Sequence, residues 1–336
     1  MKVYDLHTHV IPPNLIDVLL KTPERFGVRD ATVHGVRVVE RDGAIVLERS
    51  GSRFAVQREL FDVEAKLAAM DRMKIDVSVL SVAPPIYFYE LDAEAGLLAA
   101  QLSNDGIAQM VEKNPARLRG MATLPMQDPD AAIAELERAV REHKFKCVEI
   151  GTNVRDEQLS DAKYRKVLKT IEQLGCFVMA HPITCVAKGG MSGYELFNTI
   201  GNPLDETIMF AHLAFTGALD DLKTLRFLIP HGGGYIPYQI GRFDRAHKYR
   251  AAAHADTKTP PGEALRRFYF DALTHDPLST RLLLDRAGAD HVVIGTDNPF
   301  DMGYYEPLAE LERVPRLTAD ERAMVCEKTA RALLGE

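Results

Sequence analysis

The sequence predicts an α/β protein, a single domain over residues 1–336 built as a (β/α)8 TIM-like barrel with a small antiparallel β insertion at about residues 25–57. Three observations predict this fold. The chain has 336 residues, and such barrels need about 250, which leaves room for an insertion. About eight short β-rich runs alternate with helical segments, as in a parallel barrel. Histidine and aspartate stand at the ends of several runs, where a barrel gathers its functional groups.

The first strand is predicted from Val3 onward and carries Asp5-Leu6-His7-Thr8-His9. Side chains alternate between the two faces of a strand, so His7 and His9 project to the same side. Two neutral imidazoles on one face make up half of a tetrahedral metal shell. We therefore expect the remaining ligands at the ends of other strands.

A β-hairpin is predicted within the insertion. The runs Ala31–Val39 and Ala44–Glu48 flank Arg41-Asp42-Gly43, and Asp-Gly between β-rich runs favours a tight turn. The segment interrupts the alternation of strands and helices close to the histidine pair. We interpret it as a projection from the barrel that serves as a lid or an oligomer contact.

Regular alternation of helices and strands begins at Asp62. Helices are predicted at 63–73, about 93–114, about 129–142, about 164–174, 207–215, from about 238, and at 277–287. Strands are predicted at 77–82, 118–125, 147–151, 176–182, 225–231, 268–272 and 291–297. In this interpretation His181 closes the fifth strand, His231 the sixth and Asp297 the eighth. Each is followed by a proline or a glycine run, which is typical of a strand that ends at a functional rim.

Composition and charge exclude several classes of function. The net charge is −7 and the isoelectric point is near 5.9, so the chain offers no basic surface for nucleic acid. No apolar run approaches the roughly 20 residues of a membrane span, and no secretory signal pattern is present. We expect a cytoplasmic enzyme without nucleic-acid or membrane partners. The cysteines Cys147, Cys176, Cys185 and Cys326 are widely spaced and are expected to be reduced.

His7, His9 and the three strand-end residues together supply four histidines and one carboxylate. A metal ion in a protein takes four or five ligands, one of which is often water. One of these five groups is therefore left for acid–base chemistry. Spacing alone does not decide which group that is.

Six stretches of the sequence resemble the amidohydrolase superfamily, in the branch that contains α-amino-β-carboxymuconate-ε-semialdehyde decarboxylase. They are Leu6–Pro12, Leu124–Gln127, Ala180–Pro182, His231–Gly234 followed by Gly241-Arg242, His275–Leu278, and Gly295–Asp297. They occur in family order and extend over nearly the whole chain. The resemblance implies that His7, His9, His181 and Asp297 bind one Zn2+ per chain, with another divalent metal as an alternative. It also implies that His231 lies just outside the metal shell as the acid–base residue.

The resemblance also implies how a substrate carboxylate is bound. Arg242, eleven residues after His231, matches an arginine that acts across a dimer interface, so a homodimer is implied. A second family arginine comes from the insertion, and Arg53 is its nearest counterpart. Phe88, in the aromatic run after the second strand, is a candidate to line the pocket, with ordinary packing in the core as the alternative. His212 has no counterpart in the family and is a further candidate for substrate contact.

Two more features bear on the substrate. Asn298 stands where the family usually has an aromatic residue after the final aspartate. Related decarboxylases of hydroxybenzoates usually carry glutamate where His9 stands, which argues against those substrates.

The leading functional hypothesis is non-oxidative loss of CO2 from a small unsaturated or aromatic carboxylic acid. The same groups suit a metal-dependent hydrolase of an amide, lactone or ring-cleavage product, or a hydratase, and release of CO2 separates these alternatives. A third hypothesis is a non-catalytic metal-binding or subunit-partner protein. His231 and Arg242 argue against it because metal storage needs neither residue.

Overall fold

The computed structural model describes residues 1–21, 36–41, 44–49 and 52–336, and within 36–55 it describes side chains only at Ile45 and Val46. The start of the predicted hairpin at 31–35 and its Asp42-Gly43 turn lie outside the described residues. Within the described ranges, no helix combines the length and the apolar character needed to cross a membrane.

The strands of the described residues form a barrel and two small sheets. They are β1 (Tyr4–Val10), β2 (Val36–Arg41), β3 (Ala44–Arg49), β4 (Ser52–Ala55), β5 (Val77–Val82), β6 (Leu118–Gly120), β7 (Ala122–Thr123), β8 (Cys147–Gly151), β9 (Asn153–Val154), β10 (Glu157–Gln158), β11 (Phe177–His181), β12 (Phe227–Ile229), β13 (Phe268–Asp271) and β14 (Val292–Val293). β6 and β7 occupy one barrel position, interrupted at Met121, whose N–H donates to the Leu80 carbonyl across 2.9 Å. The barrel order is β1, β5, β6/β7, β8, β11, β12, β13, β14, with parallel pairing throughout. The predicted parallel barrel is confirmed.

The barrel closes between its first and last strands. Parallel bridges pair Asp5 with Ile294 and Thr8 with Asn298. The Leu6 N–H donates to the Ile294 carbonyl across 3.0 Å. We call this junction of β1 with the segment after β14 the seam. It places the histidines of β1 next to the segment that carries Asp297.

Helices cover the outside of the barrel. They are α1 (Pro13–Lys21), α2 (Val63–Met73), α3 (Ala93–Lys113), α4 (Pro129–His143), α5 (Ala162–Gln173), α6 (Asn202–Phe215), α7 (Ala218–Asp221), α8 (Ile236–Tyr249), α9 (Pro261–Ala264), α10 (Pro277–Ala287), α11 (Pro307–Glu312), α12 (Ala319–Ala323) and α13 (Thr329–Leu334). Asp62 caps α2 by accepting from the N–H groups of Glu64 and Ala65. An aspartate at this position satisfies N–H groups that have no partner within the helix, so it marks where the helix starts.

The barrel interior changes from apolar to polar along the strands. On β11, Phe177 and Met179 pack in a buried interior cluster, and His181 follows on the same face. The cluster is sealed at the other end by α13 through Ala330 and Leu333. The polar side chains are therefore confined to the carboxyl ends of the strands, as the barrel fold requires.

A bulge in β1 gives the first strand the same arrangement. Its register against β5 shifts between Asp5 and Thr8. Leu6 packs in the interior cluster, and the next residue, His7, also faces inward. A bulge places two consecutive residues opposite one, which reverses the alternation beyond it.

The insertion contains one more strand than the sequence predicts. β2, β3 and β4 form a three-stranded antiparallel sheet, in which Val36 pairs with Arg49 and Arg49 pairs with Ser52. The antiparallel insertion after the first strand is confirmed, and β4 is an addition to the predicted hairpin.

The structure corrects the placement of two site residues and one helix. β12 and β14 stop before His231 and Asp297, which lie in the segments that follow the strands rather than closing them. Their φ angles are 51° and 54°, a left-handed conformation that an extended strand cannot contain. α6 begins at Asn202 rather than at 207, because the π-helical turn Phe197–Gly201 leads directly into it.

Candidate metal centre and cavity

Four metal-ligating side chains converge at the carboxyl end of the barrel. His7 and His9 come from β1, His181 is the last residue of β11, and Asp297 follows β14. One ligand atom of each lies within 4.8 Å of those of the others, and all four residues are buried. The structure thus brings together the four residues that the sequence predicts as metal ligands.

Hydrogen bonds at Nδ1 orient the three imidazoles. His7 Nδ1 donates to Asp271 Oδ2 across 2.7 Å. His181 Nδ1 donates to the carbonyl of the next residue across 2.7 Å, and His9 Nδ1 donates to the Val82 carbonyl across 3.3 Å. A neutral imidazole that donates from Nδ1 carries a lone pair on Nε2. The three Nε2 atoms are therefore available to bind a metal.

The spacing of these atoms fits a divalent cation. His7 Nε2 and His9 Nε2 lie 3.1 Å apart, and Asp297 Oδ1 lies 3.4 Å and 3.2 Å from them. Lone pairs this close repel one another unless a cation lies between them. Among the described residues, His181 Nε2 and Asp297 Oδ1 are buried without a hydrogen-bond partner. Tetrahedral zinc, with bonds to nitrogen of about 2.0–2.1 Å, places its ligand atoms about 3.3 Å apart.

The electrostatics of the site favour a neutral His9, a neutral His181 and a charged Asp297. Burial lowers the pKa of His9 to about 4. Burial, assisted by His9 and His7, lowers the pKa of His181 well below its usual value. Burial alone would raise the pKa of Asp297, but the neighbouring His7, together with His231 and His9, holds it well below its usual range. Metal binding near neutral pH therefore displaces few protons from these three ligands.

His231 lies beside the four ligand groups. Its Nε2 is 3.9 Å from Asp297 Oδ2, and its Nδ1 donates across 2.6 Å to Glu206 Oε1 on α6. Burial raises the pKa of Glu206 to about 7. Burial opposes a charge on His231, but the Glu206 carboxylate and Asp297 raise its pKa well above the usual value. This pair is suited to holding and releasing a proton at Nε2.

Asp271 connects the ligand position with the turn that carries His231. It ends β13 and is fully buried. While Oδ2 accepts from His7, Oδ1 accepts from the N–H groups of Gly232 and Leu273 across 3.0 Å and 3.1 Å. Burial would raise the pKa of Asp271, but the hydrogen bond from His7 lowers it below the usual value. One carboxylate therefore orients a ligand histidine and the backbone beside His231.

A cavity of about 700 Å³ opens over His181, His231 and Asp297. Its walls are mostly apolar and aromatic, and include Pro84, Ile183, Phe197, Tyr235, Tyr238, Leu283, Phe300 and Met302. The volume suits a small molecule. Within the described part of the chain, no lysine or arginine lines it. An arginine or lysine that contacts a carboxylate there would have to come from the insertion or from another subunit.

The other predicted substrate-binding residues do not line this cavity in the described structure. Arg242 is exposed on α8, one turn after Tyr238, which does line it. His212 is exposed on α6, and Phe88 is buried in the main hydrophobic core. Arg53 lies in β4, and its side chain is outside the described residues.

The sequence does not single out four buried polar residues around the site: Asp271, Glu206, Glu149 and Lys66. Asp271 ends a strand, so the rule that identifies His181 also applies to it. Glu206 and Lys66 lie on helices and carry no such signal. Glu149, on β8, has Oε1 3.7 Å from His9 Nδ1, and burial raises its pKa well above the usual value.

The residue after Asp297 departs from the expected aromatic residue, and the structure gives it a polar partner. Asn298 Oδ1 accepts from Lys66 Nζ across 2.9 Å. An aromatic residue lies two positions further on, since the ring of Phe300 is 5.4 Å from that of His9.

Residues 4–335 match the family model described as amidohydrolase. The 2-amino-3-carboxymuconate-6-semialdehyde decarboxylase of Dictyostelium discoideum is 29% identical over 335 residues, covering 98% of this chain and 91% of that protein. The gamma-resorcylate decarboxylase of Rhizobium sp. (strain MTP-10005) is 29% identical over 272 residues, covering 73% and 80%. The crystal structure of 5-carboxyvanillate decarboxylase from Sphingomonas paucimobilis has a TM-score of 0.81 at 24% identity and covers 99% of both chains, so the folds agree.

Proposed function

The chain belongs to the amidohydrolase family, and on that premise we propose that it is a metal-dependent decarboxylase of an unsaturated or aromatic carboxylic acid. One observation carries the proposal. His7, His9, His181 and Asp297 converge on one position, and His231 is held beside them at the floor of a small-molecule cavity. The names of the relatives support the reaction, since both curated relatives compared above are decarboxylases.

We propose zinc, one ion per chain, because three imidazoles and one carboxylate are a donor set that zinc prefers. Another divalent metal can use the same donors. When bound, the ion supplies positive charge to a substrate oxygen or a water molecule at the cavity floor.

His231 is the proposed acid–base residue. Glu206 accepts its Nδ1 hydrogen, which leaves Nε2 for proton transfer at the cavity. In the reaction, the bond between the carboxylate carbon and the adjacent carbon breaks, and its electron pair passes into the conjugated system. His231 Nε2 then supplies the proton that takes the place of CO2.

A carboxymuconate semialdehyde or a related acid is the proposed substrate class. The carboxymuconate-semialdehyde decarboxylase relative aligns with 98% of this chain, whereas the resorcylate decarboxylase aligns with 73%. Position 9 holds a histidine, whereas related decarboxylases of hydroxybenzoates usually have a glutamate there, and this supports the same choice.

We propose that arginines from outside the described cavity hold the substrate carboxylate. Arg242 is exposed on α8 next to the cavity wall, so a second subunit of a homodimer can receive its guanidinium. Arg53 is the proposed contribution of the insertion. Phe88 is packed in the core and His212 does not line the cavity, so we leave both out of the proposed site.

The test is turnover of the zinc-loaded protein with a panel of carboxymuconate semialdehydes and hydroxybenzoates, followed by CO2 release and absorbance. We expect CO2 in equimolar amount to the substrate consumed. Consumption without CO2 would identify a hydrolase or hydratase instead. Bound zinc with no turnover across the panel would favour a non-catalytic metal protein.

Elemental analysis of two variants separates the ligands from the acid–base residue. We expect His181→Ala to lose most of the metal, because it removes one of four ligands. His231→Ala should retain the metal and lose turnover by roughly 10²–10⁴-fold. Full metal in His181→Ala would contradict the ligand set, and loss of metal in His231→Ala would make His231 a ligand.

A further inference from the structure

Lys66 is a fully buried lysine on α2, and its ammonium lies against the back of β1. Lys66 Nζ donates to Thr8 Oγ1 across 3.0 Å, to the His9 carbonyl across 2.9 Å and to Asn298 Oδ1 across 2.9 Å. An ammonium has three N–H donors, and these acceptors, with the Asn298 carbonyl at 3.3 Å as a fourth, satisfy all of them. A buried charge with complete hydrogen bonding is held in one geometry.

The three acceptors belong to the two segments that carry the proposed metal ligands. Thr8 lies between His7 and His9, and Asn298 directly follows Asp297. Thr8 Oγ1 also donates to the Asn298 carbonyl across 2.9 Å. Lys66 therefore spans the seam at the level of the ligands.

Backbone hydrogen bonds also join the two segments at the level of the ligands. The His7 carbonyl accepts from the N–H of Asp297 across 2.8 Å, and the His9 N–H donates to the Asn298 carbonyl across 2.9 Å. Asp297 itself has φ 54°, a conformation that a non-glycine residue keeps only where its surroundings hold it. A shift of this segment would change the distance between Asp297 Oδ1 and the histidine nitrogens.

We propose that Lys66 is a positioning residue of the metal centre, whose ammonium ties the β1 segment to the segment after β14 and so fixes the spacing of the ligands. The proposal rests on the proposed metal-dependent function. Lys66 does not line the cavity, so its effect is on metal binding and not on substrate contact. Asp5, also buried at the seam, supplies a nearby negative charge and accepts from Thr296 Oγ1 across 2.7 Å.

The test compares Lys66→Met with Met70→Ala. Met70 lies one turn further along α2, is equally buried and packs in the hydrophobic core, so its truncation destabilises the barrel without removing a hydrogen bond of the seam. We expect Lys66→Met to weaken zinc binding by about 10–100-fold in competition with a chelator. It should also change the visible spectrum of the cobalt-substituted protein. Met70→Ala should lower the melting temperature and leave both metal readouts as in the wild type.

Thr8→Val keeps the proposal testable if Lys66→Met does not fold. Valine has the shape of threonine and suits a strand, but it removes one acceptor of Lys66 and the bond to Asn298. We expect weaker zinc binding, with a smaller loss than in Lys66→Met. Wild-type zinc affinity in the folded variants would overturn the role of Lys66. Absence of zinc binding in the wild type would overturn the metal centre itself.

Discussion

At each histidine of the site, the partner of Nδ1 sets what Nε2 can do. His9 and His181 donate to backbone carbonyls, whereas His7 donates to Asp271 and His231 to Glu206. A carboxylate partner makes the opposite nitrogen more basic than a carbonyl does. His7 is therefore suited to be the strongest of the three nitrogen ligands. At His231, which lies beside the ligand groups, the same effect favours uptake of a proton.

We expect Glu206→Gln to lower the pKa of His231, because glutamine can still accept from Nδ1 but carries no negative charge. The alkaline limb of the pH–rate profile, which requires protonated His231, should therefore move to lower pH. The loss of kcat should be smaller than the roughly 10²–10⁴-fold loss expected for His231→Ala. The measurement is kcat against pH in wild type and variant at equal metal content. An unchanged limb would show that Glu206 does not act through His231.

How far the site follows from sequence differs from residue to residue. The alternation of a strand predicts the pairing of His7 with His9, and the barrel rule predicts where His181 lies. Glu206 and Lys66 reach the site only because α6 and α2 pack against particular strands. No local pattern in the sequence contains that information.

At the scale of elements, β1 departs from the strict alternation of side chains that a periodic sequence pattern predicts. Strict alternation cannot turn both Leu6 and His7 inward, yet the strand does so through its bulge. β12 and β14 differ from prediction for a related reason. The apolar runs that suggest long strands include His231 and Asp297, whose left-handed conformation ends the pairing early. Both departures lie at the functional end of the barrel.

The buried Glu149 on β8 gives a testable prediction about the stability of the barrel. Burial raises its pKa well above that of an unfolded glutamate, so metal-free protein takes up a proton on folding. Protonated Glu149 makes its full contribution to the free energy of unfolding below the pKa of about 4.3 of an unfolded glutamate. This contribution falls as pH rises toward the pKa of Glu149 in the folded protein. We expect Glu149→Gln to raise the melting temperature of chelator-treated protein at neutral pH by at least about 2 °C. The gain should vanish near about pH 4.

Glu135→Gln is the matched control for this comparison. Glu135 is also fully buried, but it pairs with Arg138 across 2.7 Å and accepts from Asn104 across 2.6 Å. Its amide variant should therefore lower the melting temperature at neutral pH. A lower melting temperature for Glu149→Gln as well would mean that Glu149 is ionised and paired in the folded protein.

At the scale of the whole molecule, the barrel joins the two ends of the chain at its site. β1 and the segment after β14 meet at the seam, and α13 packs under the same barrel through Ala330 and Leu333. The order of strands and helices predicts this closure. It does not show which cationic side chain binds a substrate carboxylate, since within the described residues the cavity lining has no lysine or arginine. The insertion and a second subunit are the two proposed sources.

Mixed dimers of two variants test directly whether a second subunit supplies Arg242 to the cavity. We expect Arg242→Ala and His231→Ala each to lack activity, because each removes one residue from every site. If Arg242 acts across a twofold interface, co-expression of the two variants in equal amounts should recover about a quarter of wild-type CO2 release. About half of the dimers are then mixed, and each mixed dimer has one intact site of two. Arg245→Ala is the control, because Arg245 is exposed on the same helix, where it lies 3.9 Å from the Tyr249 ring centroid, and it should be active by itself. No recovery in the mixture, or an active wild-type monomer by sedimentation, would assign Arg242 no role across subunits.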